Sequence, residues 1–340
     1  MATEQIFCTM DELLADADDN GGDAAALLKH IRAASQVLLQ EIGKFIPLTQ
    51  EVRLDGNGKA RLFVPPLLAV SSLVNGDDTL VSTDYLLRPN GRMWVDGPYT
   101  QLDVDPDSAN LSAWYAEADS VVINGRWGLY EKSEDTGANT GASEQSVSST
   151  SLVTTNGSKV SPGMVCLIGT EQELVTGYGA VTASVTTLAE DLDLVEEEIS
   201  VANGALLSVG EIVRAGFEQM KILDINGNTL YVRRGWNGTK KATHASASAL
   251  DVYRTFTVVR AVNGTTAAVH SAGSDIYRYL VPEDVRILCV EIATLMRRKA
   301  LGGFAGKSGN SELGEVYYHD MFPRFDLERV RSHYLIAEVA

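Results

Sequence analysis

Apolar residues recur at spacings of three and four along two stretches of this chain. Leu27, Ile31, Ala34, Leu38 and Ile42 form one stripe, which predicts a helix with Asp23 at its N-cap and an end near Gly43. Val285, Leu288, Ile292 and Met296 form another. Pro282 suits its first turn, Glu283 and Asp284 suit the positive end of its dipole, and Arg297, Arg298 and Lys299 suit the negative end. A last short helix is expected over 325–336. The first 22 residues are polar and acidic, and read as an N-terminal arm, although Ile6, Phe7, Leu13 and Leu14 can make a short docking helix.

Elsewhere the pattern is that of short strands and turns. Glu51–Leu54, the turn Asp55-Gly56-Asn57-Gly58 and Ala60–Val64 read as a hairpin closed off by Pro65-Pro66. Leu67–Val74, Thr79–Val81, Tyr85–Leu87 and Ala118–Trp127 complete a small antiparallel unit. Residues 131–145 are polar, Gly- and Ser-bearing and aperiodic, and read as a linker into an inserted domain. Residues 146–279 are rich in Val, Thr and Asn-Gly turns, and they repeat internally. At an offset of 47, Asn156-Gly157, Gly163, Gly169 and Glu171-Gln172 match Asn203-Gly204, Gly210, Gly216 and Glu218-Gln219. At an offset of 26, Asn237-Gly238-Thr239 and His244 match Asn263-Gly264-Thr265 and His270, with Asp251–Arg254 and Asp275–Arg278 trailing each.

The expected class is therefore α+β: a discontinuous domain (23–130 and 280–340) of a few helices and a small antiparallel β unit, interrupted by an all-β insertion at 146–279, sandwich or barrel-like. The 340 residues are 45% hydrophobic, enough for a full core. No apolar run approaches the roughly 18 residues of a membrane helix, and Met-Ala-Thr-Glu-Gln does not resemble an export signal, so a chain that is neither membrane-spanning nor exported is expected. A net charge of −17 disfavours a surface that grips phosphates, but is compatible with an acidic wall along which DNA slides. The scattered cysteines Cys8, Cys166 and Cys289 suggest neither a disulfide framework nor a thiolate metal site.

Motifs for chemistry are scarce. Gly306-Lys307-Ser308 lacks the leading glycine and strand of a phosphate loop, Leu301 standing where that glycine belongs. Asp103-Val-Asp105-Pro-Asp107 begins like a calcium loop, yet Ser108 and Trp114 occupy its glycine and glutamate positions. The histidines His30, His244, His270, His319 and His333 show no metal-ligand spacing. Glu171 and Glu218 are equivalent across the repeat, as are His244 and His270, which favours structural roles, although a carboxylate pair of the glycosidase type is defined only in space. No enzymatic activity, catalytic residue, cofactor or metal is expected.

The outer segments resemble the head-to-tail connector, or adaptor, proteins of tailed bacteriophages, which complete the head beneath the portal. The resemblance is carried by Ala24–Ser35, by Arg61-Leu-Phe-Val-Pro-Pro-Leu-Leu68, by Thr83-Asp-Tyr-Leu-Leu87, and by Asn124-Gly-Arg-Trp-Gly128 with Val281-Pro-Glu-Asp-Val285. In that family the Gly-x-Trp-Gly strand runs almost directly into the Val-Pro-Glu-Asp helix; here the β insertion intervenes. The run Gly227–Thr239 is similar to β modules of phage structural proteins.

The resemblance implies a virion protein assembled in the host cytoplasm: a ring, commonly of twelve copies, at the head–tail interface, with a channel that DNA traverses without tight binding. Its partners would be the portal protein, the next tail or head-closure protein and capsid protein. Candidate portal-docking residues are Gly302, Phe304, Lys307, Tyr317, Tyr318, Phe322, Phe325 and Tyr334. Ile31, Leu38, Leu288, Ile292, Arg297 and Arg298 are candidates for helix pairing or inter-subunit contact. The insertion is expected to be peripheral. The alternative is a carbohydrate- or receptor-binding β module using Trp236 or Tyr231 as a stacking platform.

Overall fold

The computed structural model describes residues 3–17, 21–89, 97–301, 307–310, 314–317 and 323–334. Burial starts at Gln5. Helix α1 (Met10–Ala17) opens on a reciprocal cap, in which the Thr9 N–H donates to Glu12 Oε2 (2.8 Å) and the Glu12 N–H to Thr9 Oγ1 (3.4 Å). Ile6, Phe7, Met10, Leu13 and Leu14 are buried, and the Phe7 N–H donates to Ser35 Oγ in helix α2 (Ala24–Glu41). The short docking helix expected in this segment is thus formed, and it lies in the core rather than in a separate arm. The acidic run after residue 15 sets the composition of this segment, while a short apolar stripe just before it does the packing.

The strands that follow are β1 (Leu48–Leu54), β2 (Arg61–Asn75), β3 (Asp78–Leu80), β4 (Tyr85–Arg88), β5 (Tyr99–Val104) and β6 (Val121–Trp127). They form one antiparallel sheet in the order β1-β6-β2-β5-β4, with β3 on β2. The expected hairpin between 51–54 and 60–64 does not form. β1 pairs with β6, Leu48 opposite Trp127 and Leu54 opposite Val121, and β6 separates it from β2. The turn after β1 instead binds residues 114–117, the N–H groups of Gly56 and Gly58 donating to Glu117 and Trp114 carbonyls. Pro65-Pro66 does not end a strand either; it lies where the β2–β5 register shifts between Phe63 and Leu67.

Residues 133–279 form two copies of one six-stranded module. The first uses β7 (Ser133–Asn139), β8 (Ser151–Val153), β9 (Val165–Ile168) and β10 (Glu171–Tyr178). The second is β11 (Thr182–Thr187), β12 (Glu198–Ser200), β13 (Ile212–Ala215), β14 (Glu218–Asn226), β15 (Thr229–Arg234) and β16 (Ala249–Val252). The chain then returns to finish the first with β17 (Thr255–Val259) and β18 (Asp275–Tyr279). The orders β7-β18-β9-β10-β17-β8 and β11-β16-β13-β14-β15-β12 correspond strand for strand. One module is thus nested in the β10–β17 hairpin of the other, and the chain leaves and returns beside the Gly179 N–H to Thr255 carbonyl bond (2.8 Å).

This nesting explains the two offsets: strands before the insertion point repeat at 47, those after it at 26. It also corrects the trailing alignment. Leu167 pairs with Tyr277 and Arg214 with Asp251, so Ile276 corresponds to Leu250, both fully buried, rather than to Val252. Within the stretch expected as a linker at 131–145, residues 133–139 form β7, an edge strand of the first module, whose exposed face needs no apolar residues.

Helix α3 (Glu283–Leu301), strands β19 (Lys307–Asn310) and β20 (Gly314–Tyr317), and helix α4 (Arg324–Tyr334) complete the described chain. Helices α1 to α4 share one core, and both modules press equivalent residues into it, Val165 and Val262 from the first, Ile212 and Trp236 from the second. Gly264 approaches β1 so closely that a Cβ would lie 1.8 Å from the Thr49 carbonyl oxygen. Buried Glu211 fixes one module to the other, accepting from Arg254 (2.6 and 2.9 Å) and from the Gly157 N–H (3.1 Å). The insertion therefore packs on the helices rather than hanging as an outlying domain.

Candidate functional site

Each module holds a buried Glu–Arg–His cluster built on the same positions. In the second, Arg234 makes a two-pronged bond to Glu218 (Nε–Oε1 2.8 Å, Nη2–Oε2 2.6 Å), and His244 Nε2 lies 2.9 Å from Oε2. In the first, Arg260 and His270 hold Glu171 at 2.7, 2.6 and 2.9 Å. Arg Nη1 reaches the carbonyls of Asp193 and Glu196 in one copy and of Ser146 and Ser149 in the other. The Ala242 and Ala268 N–H groups cap the two carboxylates. One guanidinium thus ties a hairpin, a loop and a turn together at the end of each module. Burial pushes both carboxyls up, but the guanidinium and backbone N–H bonds prevail and hold both below the usual carboxylate range.

The sequence indicated the glutamates and histidines as structural and missed the arginines. Their signal was present, since Arg234 and Arg260 precede Asn237 and Asn263 by the same three residues. Those asparagines adopt left-handed conformations (φ 53° and 54°) and donate to Gln219 and Gln172 (2.8 Å each), the Asn-Gly-Thr turns expected.

The copies differ inside. The first module carries Gln145, Cys166 and Glu173 where the second carries Leu192, Val213 and Met220. Glu173 is fully buried; Gln145 Nε2 donates to its Oε2 (3.1 Å), and Arg260 Nε and His270 Nε2 lie 2.8 and 3.4 Å from its Oε1. Burial raises its carboxyl to about 7. Glu171, Glu173 and His270 bring donor atoms within 4.8 Å of one another, a spacing compatible with a metal. Glu171, however, already accepts from Arg260, His270, Ala261 and Ala268, so an ion would meet a saturated carboxylate beside a guanidinium. Burial instead favours a proton on Glu173 alone, beside a Glu171 that stays ionised among its donors.

Of the candidate helix-pairing residues, Ile31, Leu38, Leu288 and Ile292 are buried together where α2 meets α3, and Ser35 Oγ lies 3.4 Å from Cys289 Sγ. Arg297 Nη2 donates to the Gly21 carbonyl (3.3 Å), while Arg298 is exposed. Of the docking candidates, Gly302, Phe304, Tyr318 and Phe322 lie outside the described residues, and Lys307 and Tyr317 fall in β19 and β20. Phe325 is exposed. Tyr334 is not available for docking: it is buried edge-on against Phe45 and donates to Asp284 Oδ1 (2.9 Å), securing α4 to the core. Trp236 is likewise buried, with Lys221 Nζ 4.7 Å from its ring centre, and offers no stacking platform; Tyr231 remains partly exposed. In the acidic turn, Asp103 pairs with Arg61 and Asp105 accepts from the Asp107 N–H.

Compared with known proteins, the chain matches no family model, no curated protein and no solved structure. Among the described residues no helix is long and apolar enough to cross a membrane.

Proposed function

We propose that this chain is a structural virion protein, the subunit of a ring adaptor between the portal vertex of a phage head and its tail. The observation that carries the reading is where the insertion leaves and returns. The Leu280 N–H donates to the Lys132 carbonyl (2.9 Å) and Tyr279 pairs with Ser133, so the two ends of the insertion lie side by side. Removing it would run Gly128 almost directly into Val281, the order found in connectors. The flanking residues Leu129 and Val285 already share a core. Insertions between adjacent chain ends leave the host fold intact.

In this reading function resides in interfaces, each subunit offering one face to a different face of its neighbour, and the net charge of −17 suits a channel wall that DNA passes without adhering. Sedimentation of the full chain, alone and with the portal protein of the same genome, tests it, with negative-stain imaging of any large species. A stoichiometric ring on the portal is the expected result; no complex at any ratio overturns the reading. Phe325→Ser should weaken that complex while leaving the fold unchanged, and undiminished binding would remove α4 from the docking surface.

A further inference from the structure

One end of the second module carries exposed apolar side chains, two of which its own duplicate replaces by polar residues. Phe217 is 96% exposed, Val195 80% and Leu194 53%. Phe217 is the second residue of the two-residue turn joining β13 to β14, after Gly216 at φ +57°, an arrangement in which glycine fixes the turn and its neighbour's side chain projects freely. Arg234 holds Glu218, the next residue, and with Nη1 the carbonyls of Asp193 and Glu196. Phe217 and the Leu194-Val195 loop tip are thus tied to the same guanidinium. Isolated exposed apolar side chains are ordinary, but three on a turn and a loop held by one guanidinium are not.

The first module supplies the control. Its turn, Gly169-Thr170, has the same left-handed glycine (φ +61°), and its loop offers the carbonyls of Ser146 and Ser149 to Arg260 in the same way. Thr170 stands where the second module has Phe217 and Ser148 where it has Val195, while Val147, 49% exposed, keeps the apolar character of Leu194. Over the same nine loop positions, Ser-Glu-Gln-Ser-Val-Ser-Ser-Thr-Ser (143–151) corresponds to Glu-Asp-Leu-Asp-Leu-Val-Glu-Glu-Glu (190–198). The main-chain geometry persists with one carboxylate or with six. The fold requires neither the charge nor Phe217.

We propose that this tip is a docking surface for a basic protein segment bearing apolar side chains, which seat against Phe217, Val195 and Leu194 while its lysines and arginines meet Glu196 and Glu198 and compete with Lys241 for Glu197, 3.1 Å from Lys241 Nζ. Charge complementarity selects this occupant. The same carboxylates repel an anionic membrane, and they repel the identical patch of a second copy in a chain of net charge −17. The inference does not rest on the connector reading.

The test uses the full chain and a synthetic helical peptide of leucine and lysine, followed by fluorescence anisotropy. A serine–lysine peptide of equal charge is the comparison. The leucine peptide should bind about tenfold or more tightly than the serine peptide. Val195→Ser/Phe217→Thr, which installs the first module's residues, should abolish that preference without changing the net charge. Glu196→Ser/Glu197→Thr/Glu198→Ser should weaken both peptides and flatten the salt dependence. Undiminished leucine-peptide binding by Val195→Ser/Phe217→Thr overturns the proposal. So does wild-type dimerisation that this variant abolishes, which would make a second copy the occupant, or stronger binding to phosphatidylglycerol vesicles than to the peptide.

Discussion

Replacing Gln145 and Glu173 by leucine and methionine, the residues at their positions in the second module, should make the protein's stability less dependent on pH. Glu173 is buried among Gln145, Glu171, Arg260, His270 and Cys166, and burial lifts its carboxyl from 4.5 to about 7. The folded carboxyl therefore holds its proton more tightly than the unfolded one. Stability is undiminished by this group below about pH 4.5, falls as pH rises through the interval to about 7, and stays lower above it. The climb corresponds to about 3 kcal/mol at about 1.4 kcal/mol per pH unit. Nearby charges titrate in both proteins, so the informative quantity is the difference between them. Urea unfolding of wild type and Gln145→Leu/Glu173→Met should show a stability difference that grows by about 3 kcal/mol in the variant's favour between about pH 4.5 and 8. A difference that is constant across this range would refute the reasoning, since ionisation of Glu173 would then cost nothing on folding.

Other perturbations separate position from composition. Arg234→Ala and Arg260→Ala each leave a buried carboxylate without its cation, and should each cost about 3–5 kcal/mol in chemical denaturation. Gly264→Ala forces a Cβ into the Thr49 carbonyl, whereas Gly227→Ala, also at positive φ (+61°), meets nothing within 4 Å. The former should lower the thermal midpoint severely and release the first module from β1, read as faster amide exchange along Leu48–Leu54. The latter should cost only about 1 kcal/mol of backbone strain.

Elements with local causes are legible in the pattern of the chain. The stripes Leu27–Leu38 and Val285–Met296 define α2 and α3, the Asn-Gly-Thr turns mark both modules, and the repeat offsets reveal a duplication, because helical periodicity and turn chemistry act within a few residues. Tertiary structure decided the partners. Nothing near Glu51 indicates that β1 pairs with β6 rather than β2, since alternation in a strand states which face is buried but not which strand lies beside it. Nor could a polar, aperiodic stretch at 133–139 be told from a linker, because an edge strand needs only backbone bonds on one side. The buried Glu–Arg–His clusters depended most on tertiary context. The Glu218–Arg234 pair spans 16 residues and the equivalent Glu171–Arg260 pair spans 89, because a whole module is inserted between its halves. A charge is tolerable in the interior only once its counter-charge is in place, and which residue that is follows from the nesting of the chain, not from its local pattern.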